Sequence, residues 1–116
     1  MRGSSSPFIC RRALLGLALA VFFGAGCAGQ IPHATPAQVE VAARRWPDAT
    51  RDQLEHGRDL YIRRCSGCHT LYKPSALPAE RWPAILDQMA PRARLASQET
   101  ESLLPYLVAL STDPRK

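Results

Sequence analysis

The sequence has 116 residues, of which 46% are hydrophobic and 22% are charged, proportions that fit one small globular domain. Its formal net charge is +5, but residues 1–26 hold three of the fifteen basic residues and no acidic residue, so the remainder has a net charge of only +2. A balance so near neutrality gives no case for a nucleic-acid-binding protein.

The N-terminal segment has the composition of an export signal. Arg2, Arg11 and Arg12 precede a nearly continuous apolar run at residues 13–23, and small residues follow the run. The run is shorter than the roughly 20 residues that a membrane-spanning helix needs. We therefore predict a cleaved signal peptide over residues 1–26. An uncleaved anchor helix is the alternative, and its basic flank would also place the remainder outside the cytoplasm.

Cys27 follows the apolar run in the stretch FFGAGC, which resembles the lipobox of bacterial lipoproteins. The resemblance implies that Cys27 becomes the first mature residue and carries lipid, although Gly24 departs from the usual leucine at its position. An ordinary signal with an unpaired cysteine is the alternative. We expect an exported, periplasmic protein that a lipid on Cys27 attaches to a membrane.

The next segment is predicted to be a tether. Residues 28–36 are rich in small residues and include two prolines, a composition typical of a linker. Two helical turns are possible over residues 37–45, before Trp46-Pro47 ends them. The sequence thus divides into a signal peptide at 1–26, a lipidated tether and linker at 27–49, and a domain at 50–116.

The domain begins with a predicted helix over residues 50–65. Thr50 and Gln53 form a T-x-x-Q capping box at its start. Gly57 lies on its apolar stripe and costs about 1 kcal/mol relative to alanine. A helix tolerates such a glycine where another backbone must approach closely.

Two further helices are predicted after a proline-containing loop. Residues 79–90 have one apolar face that includes Trp82, and Pro91 is expected to end this helix. Residues 97–110 form the last helix, with Ser97 as its N-cap, and Pro105 is expected to kink it. No strand pattern is visible, so the predicted fold class is all-α.

The stretch CSGCH carries the strongest chemical signal. C-x-x-C-H is typical of a c-type haem attachment site, in which Cys65 and Cys68 form thioethers and His69 binds the iron from the proximal side. A thioredoxin-like dithiol would need a βαβ context. A zinc site would need further ligands, for which only His33 and His56 are available. A plain disulfide would leave His69 unused.

The residues around the motif extend this interpretation. Gly57, Tyr61 and Cys65 are spaced four apart, and Leu103 and Tyr106 lie in the last predicted helix. In these features the chain resembles the class I cytochrome c family over most of the mature domain. The resemblance implies a small helical fold around one covalently bound haem c, with the first and last helices crossing at Gly57.

Met89 is the only methionine of the predicted mature chain. A methionine sulfur opposite a histidine raises the haem potential, and the resemblance also implies a distal methionine. The helical spacing of Met89 with Trp82 and Ile85 fits core packing as well. Met89 is thus the favoured second axial ligand of the iron, ahead of His33 and His56, with packing as the alternative.

Other side chains near this centre are expected to pack against the haem or to form hydrogen bonds around it. Trp82 is expected to pack against the haem or the last helix. Pro78, rather than Pro74, is expected to offer its carbonyl to the Nδ1–H of His69. The remaining arginines are expected at the solvated surface, where one of them could pair with a haem propionate. They are Arg81, Arg92 and Arg94.

These features favour an electron carrier rather than an enzyme. A haem with both axial positions filled cycles between Fe(II) and Fe(III) and passes one electron from a donor to an acceptor redox protein. If Met89 does not bind iron, the open site would suit gas sensing or peroxide chemistry. A fixed haem subunit of a larger oxidoreductase is a third hypothesis.

Overall fold

The computed structural model of the chain describes residues 30–113, so the predicted signal peptide and Cys27 lie outside the described residues. Four α-helices and two short 3₁₀ turns, with no strand in this part of the chain, confirm the all-α prediction. The helices are α1 (Pro36–Ala43), α2 (Arg51–Cys65), α3 (Trp82–Ala93) and α4 (Ser97–Ser111). The 3₁₀ turns, Pro74–Ala76 and Ala79–Arg81, lie between α2 and α3. No helix in the described range is long and apolar enough to cross a membrane.

Helices α2 and α4 form the centre of the fold and cross at Gly57. Helix α2 begins with the predicted capping box, in which the Thr50 N–H donates to the side chain of Gln53 at 2.8 Å. A Cβ added to Gly57 would lie 2.7 Å from the carbonyl oxygen of Ser102 and 2.8 Å from the Cβ of Tyr106. Only a glycine lets the two backbones approach this closely, which explains why α2 tolerates it.

The hydrophobic core lies between α2 and α4, and the other helices cover it. Leu54 of α2 and Leu103, Tyr106 and Leu107 of α4 are completely buried. The remaining buried members of the core are Ile31, Ala34, Ala42, Leu60, Tyr61, Trp82, Leu86, Ala109 and Leu110. All four helices contribute, so the fold has a single core.

The segment before α1 packs onto the core, although its composition predicted a tether. Ile31 is 7% exposed and Ala34 is 2% exposed. The Nε of Arg58 donates to the Ile31 carbonyl at 2.9 Å, and the hydroxyl of Tyr106 donates to the Pro32 carbonyl at 2.7 Å. These distant side chains attach the segment to α2 and α4, and α1 itself lies within the predicted linker.

Glu55 adds a third attachment for this segment. One carboxylate oxygen accepts the N–H of Ala34 at 2.8 Å, and the other lies 2.7 Å from Nδ1 of His33. Burial raises the pKa of Glu55, but the bonds from Ala34 and His33 outweigh burial and lower the pKa below its ordinary value. The carboxylate is therefore ionised and bound at neutral pH.

The end of α3 differs from the prediction, because the helix continues through Pro91 to Ala93. A proline inside a helix loses its own N–H bond and crowds the carbonyl four residues back, which weakens the helix but does not have to stop it. The turn closes when Arg94 adopts a left-handed conformation with φ of 52°. The N–H of Leu95 then donates to the Ala90 carbonyl at 2.9 Å, a C-cap arrangement that usually contains glycine.

The start of α4 also differs from the prediction, since Ala96 and not Ser97 occupies the N-cap. Ala96 has no side-chain oxygen to offer the helix. Its own N–H donates to Glu99 at 3.0 Å, so the acidic residue three positions later completes half of a capping box. The helix then continues through Pro105 to Ser111 without interruption.

Candidate haem attachment site

The CSGCH motif begins at the C-terminal end of α2. Cys65 is the last residue of the helix, and residues 66–68 form a turn. Cys65 is half-buried, Cys68 is exposed, and both are free thiols. Burial raises the pKa of the Cys65 thiol, and the neighbouring Cys68 raises it further. The helix end thus holds one sulfur against the core and presents the other at the surface.

His69 is exposed and has one ring nitrogen already bound. Its Nδ1 lies 2.9 Å from the carbonyl oxygen of Thr70. A proton on Nδ1 satisfies this contact and leaves the lone pair of Nε2 for a metal. The ring is 6.3 Å from that of Tyr72, and both residues line a cavity of about 290 Å³ together with Thr70 and Leu71.

The carbonyl expected from Pro78 does not serve His69. Pro78 accepts an N–H of the following 3₁₀ turn at 3.0 Å, and Pro74 accepts the indole N–H of Trp82 at 3.3 Å. The prediction was therefore wrong, because both prolines belong to turns that use their carbonyls. The adjacent residue, Thr70, supplies the carbonyl instead.

Tyr61 holds the connection that follows the motif. Its hydroxyl donates to the Tyr72 carbonyl at 2.9 Å. Burial raises the pKa of Tyr61 to about 12, so the hydroxyl keeps its proton at neutral pH. The rings of Trp82 and Tyr61 are nearly perpendicular, with their centroids 6.0 Å apart. The helix that ends in Cys65 therefore also fixes the loop after His69.

Trp82 packs against the last helix, one of the two positions that the sequence predicted for it. It is 3% exposed, and its Nε1 donates to Oγ of Ser111 at 2.6 Å. Sequence reasoning ended the last helix at residue 110, one residue before Ser111, and missed this contact. One signal was available: Ser111 follows Leu107 by one helical turn on the buried face, and a buried indole N–H needs a partner.

Met89 lies on α3 and is half-buried. Of the other candidates for an axial position, one contacts a carboxylate and the other lines a cavity that no residue of the motif lines. The side chain of His33 is 67% exposed and contacts Glu55, while His56 lies near the middle of α2. Among residues 30–113, no group of three or more histidine, cysteine or acidic side chains could hold a metal ion, so the zinc alternative gains no support there.

A larger cavity of about 750 Å³ lies between the α1–α2 loop, α2 and α4. Trp46, His56, Glu101 and Pro105 are among the residues that line it, and none of the CSGCH residues does. Its lining mixes charges of both signs with the rings of Trp46 and His56. The chemistry of the donor groups, rather than cavity size, therefore locates the candidate site at the motif.

The residues around the motif fit a c-type haem. Two free thiols with the required spacing precede an imidazole that has one nitrogen available. On α2, the loop after the motif, α3 and α4, partly buried apolar side chains pack against the core, and such side chains suit an apolar macrocycle. They are Ile62, Leu71, Leu77, Ile85, Leu104 and Val108.

Comparison with known proteins agrees with this assignment. Residues 61–116, slightly less than half of the chain, match the family model described as DHC, dihaem cytochrome c. The match to a c-type cytochrome family implies covalently bound haem c with its iron, in agreement with the predicted cofactor, and it supports haem-based electron transfer. The family description names two haems, whereas the sequence contains one C-x-x-C-H motif. No curated protein and no solved structure matched the chain.

Proposed function

We propose that the protein is a one-electron carrier with a single haem c. Cys65 and Cys68 would hold the haem through thioethers, and His69 would bind its iron. The observation that carries the proposal is the motif at the end of α2, with two free thiols and an available imidazole nitrogen, inside a match to a c-type cytochrome family. When bound, the haem supplies the iron that gains and loses one electron.

Other residues of the chain orient the iron ligand, hold the adjacent loop and would shield the haem. The carbonyl of Thr70 orients the His69 ring. The hydroxyl of Tyr61 holds the loop beside it. The partly buried apolar side chains of α2, the loop after the motif, α3 and α4 would keep water from the macrocycle, and the resulting low dielectric would tune the potential. Nothing in this arrangement requires a substrate to enter, so the proposal assigns no enzymatic step.

We assign the second axial position to Met89. Met89 is the only methionine in residues 27–116, and it lies half-buried on α3, the helix that follows the loop after His69. A thioether is neutral and soft, and opposite a histidine it raises the haem potential. With His69 and Met89 both bound to it, the iron would be closed to exogenous ligands and suited to carrying electrons.

The visible spectrum of the oxidised, haem-loaded protein tests this ligation. We expect a weak long-wavelength band from methionine sulfur on ferric iron in the wild type, and its loss in Met89→Ala. Ile85→Ala is the matched control, because Ile85 is also half-buried on α3, and it should keep the band. A wild type without the band, or Met89→Ala with it, would overturn the assignment and favour the open-site hypothesis.

We further propose that the protein is exported and attached to a membrane by lipid on Cys27. Ile31 is packed onto the domain, so only residues 28–30 separate it from Cys27. Four residue steps span at most about 14 Å when fully extended. The haem domain would therefore stay close to the membrane and meet donor and acceptor redox proteins there.

Fractionation of cells tests the anchor. Cys27→Ser should move the protein from the membrane fraction to the soluble periplasmic fraction. Cys10→Ser is the matched control, because Cys10 lies in the predicted signal peptide, and it should leave the protein on the membrane. Membrane attachment that survives Cys27→Ser would contradict lipidation at this residue.

A further inference from the structure

Side chains from other elements bind two backbone carbonyls of the connection between His69 and α3. Tyr61 donates to the carbonyl of Tyr72 at 2.9 Å. The carbonyl of Pro74 lies 3.3 Å from Nε1 of Trp82 and 2.7 Å from Oγ of Ser111. The first contact comes from α2, and the second joins the connection to α3 and α4.

Ser111 is the centre of the second contact. Its Oγ accepts the indole N–H of Trp82 at 2.6 Å and lies within donating distance of two carbonyls, Pro74 at 2.7 Å and Leu107 at 2.6 Å. A hydroxyl has one proton and two lone pairs, so it can donate to one carbonyl while it accepts from the indole. Pro74 is completely buried and Trp82 nearly so, which shields these bonds from water.

The position of Trp82 matters for the proposed ligand. Trp82 is the first residue of α3, and Met89 follows it by seven residues on the same helix. Seven residues are about two turns, so the two side chains lie on one face of α3. Any shift of Trp82 along or around the axis of α3 is therefore transmitted to Met89.

We propose that Ser111 is a positioning residue for the distal side of the haem. It fixes Trp82 at the start of α3 and, through the helix, would hold Met89 in place to bind the iron. This inference rests on the proposed ligation by Met89. Without the hydroxyl, the indole N–H keeps only the longer contact to Pro74, and the carbonyl of Pro74 loses its shortest partner.

The test is the rate at which cyanide displaces methionine from the ferric, haem-loaded protein, followed by loss of the long-wavelength band. In Ser111→Ala we expect displacement about tenfold faster than in wild type, the effect of one hydrogen bond that acts on the closed state. Thr112→Ala is the matched control. Thr112 donates to the Val108 carbonyl at 3.0 Å from the same helix end, but no bond joins it to Trp82. Its displacement rate should stay within twofold of wild type.

A second variant removes the same bond from the other side. Trp82→Phe keeps an aromatic ring against Tyr61 but has no N–H, so it should also accelerate displacement. Because the bond between Trp82 and Ser111 is lost in either variant, Ser111→Ala combined with Trp82→Phe should accelerate displacement by less than the product of the two single effects. Independent, multiplying effects would contradict a shared bond.

The outcomes separate the two proposals. A wild type without the band overturns the ligation by Met89 and the positioning role with it. A wild type with the band, and rates in Ser111→Ala and Trp82→Phe equal to wild type, overturns only the positioning role. A lower thermal midpoint with unchanged displacement rates also overturns only the positioning role, since it reveals a structural bond that does not act on Met89.

Discussion

Substitution of Gly57 by alanine tests the helix crossing on which the fold depends. The added Cβ would lie 2.7 Å from one backbone oxygen and 2.8 Å from a Cβ of α4, where ordinary contacts begin at 3.4 Å. Neither atom belongs to a flexible side chain, so α2 and α4 must separate by several tenths of an ångström. Overpacking of this kind costs about 1–3 kcal/mol, and the rigid neighbours place it in the upper part of that range. Alanine regains about 1 kcal/mol in helix propensity.

The net expectation for Gly57→Ala is a loss of about 1–2 kcal/mol in the free energy of unfolding. Guanidinium denaturation of the haem-loaded protein measures it. His56→Ala is the control, because His56 is the exposed neighbour on the same helix, and it should change the stability by no more than about 0.5 kcal/mol. If Gly57→Ala were as stable as wild type or more so, helix propensity would outweigh the crossing, and the close approach of α2 and α4 would be wrong.

Three further substitutions follow from the helix ends and from the segment before α1. Arg94→Gly should raise the free energy of unfolding by about 1 kcal/mol, because it relieves the left-handed conformation. Arg92→Gly, within α3, should instead lower the free energy of unfolding. A lower value in both variants would contradict the left-handed conformation of Arg94. Ala96→Ser should raise the free energy of unfolding by about 1 kcal/mol, because the serine hydroxyl would cap α4. Ser97→Ala should change it little, and thermal melts that show both variants to be equally less stable than wild type would contradict Ala96 as the N-cap. Glu55→Gln should be less stable than wild type above the ordinary carboxyl pKa of about 4.3, where the lowered pKa of Glu55 stabilises the fold. That difference should shrink as the pH falls through the lowered pKa, and a difference independent of pH in urea titrations would contradict the charge-dependent bond.

Local rules predicted the features that depend on a few neighbouring residues. The capping box of Thr50 and Gln53 is such a feature, since both partners lie within one turn and nothing else competes for them. The crossing at Gly57 followed from the glycine within an apolar stripe and from the family resemblance. The end of α3 and the start of α4 did not follow the local preferences of Pro91 and Ser97. The turn at Arg94 ends α3 instead, and the bond from the Ala96 N–H to Glu99 marks the start of α4.

Long-range contacts decided the features that the sequence did not predict. Ile31 is bound by Arg58, 27 residues away, and Pro32 by Tyr106, 74 residues away. Composition describes the segment as a linker, because it contains no sign of these distant donors. The role of Ser111 was missed for the same reason, since its partner Trp82 lies 29 residues before it.

The number of haems covalently bound per chain tests the central claim most directly. Intact mass of the purified, denatured protein, together with haem absorbance against protein concentration, gives this number without assuming a ligand. We predict one haem per chain that survives denaturation, and none in the double variant Cys65→Ala, Cys68→Ala. Two haems per chain, or a haem that leaves on denaturation of the wild type, would contradict a single haem c held at CSGCH.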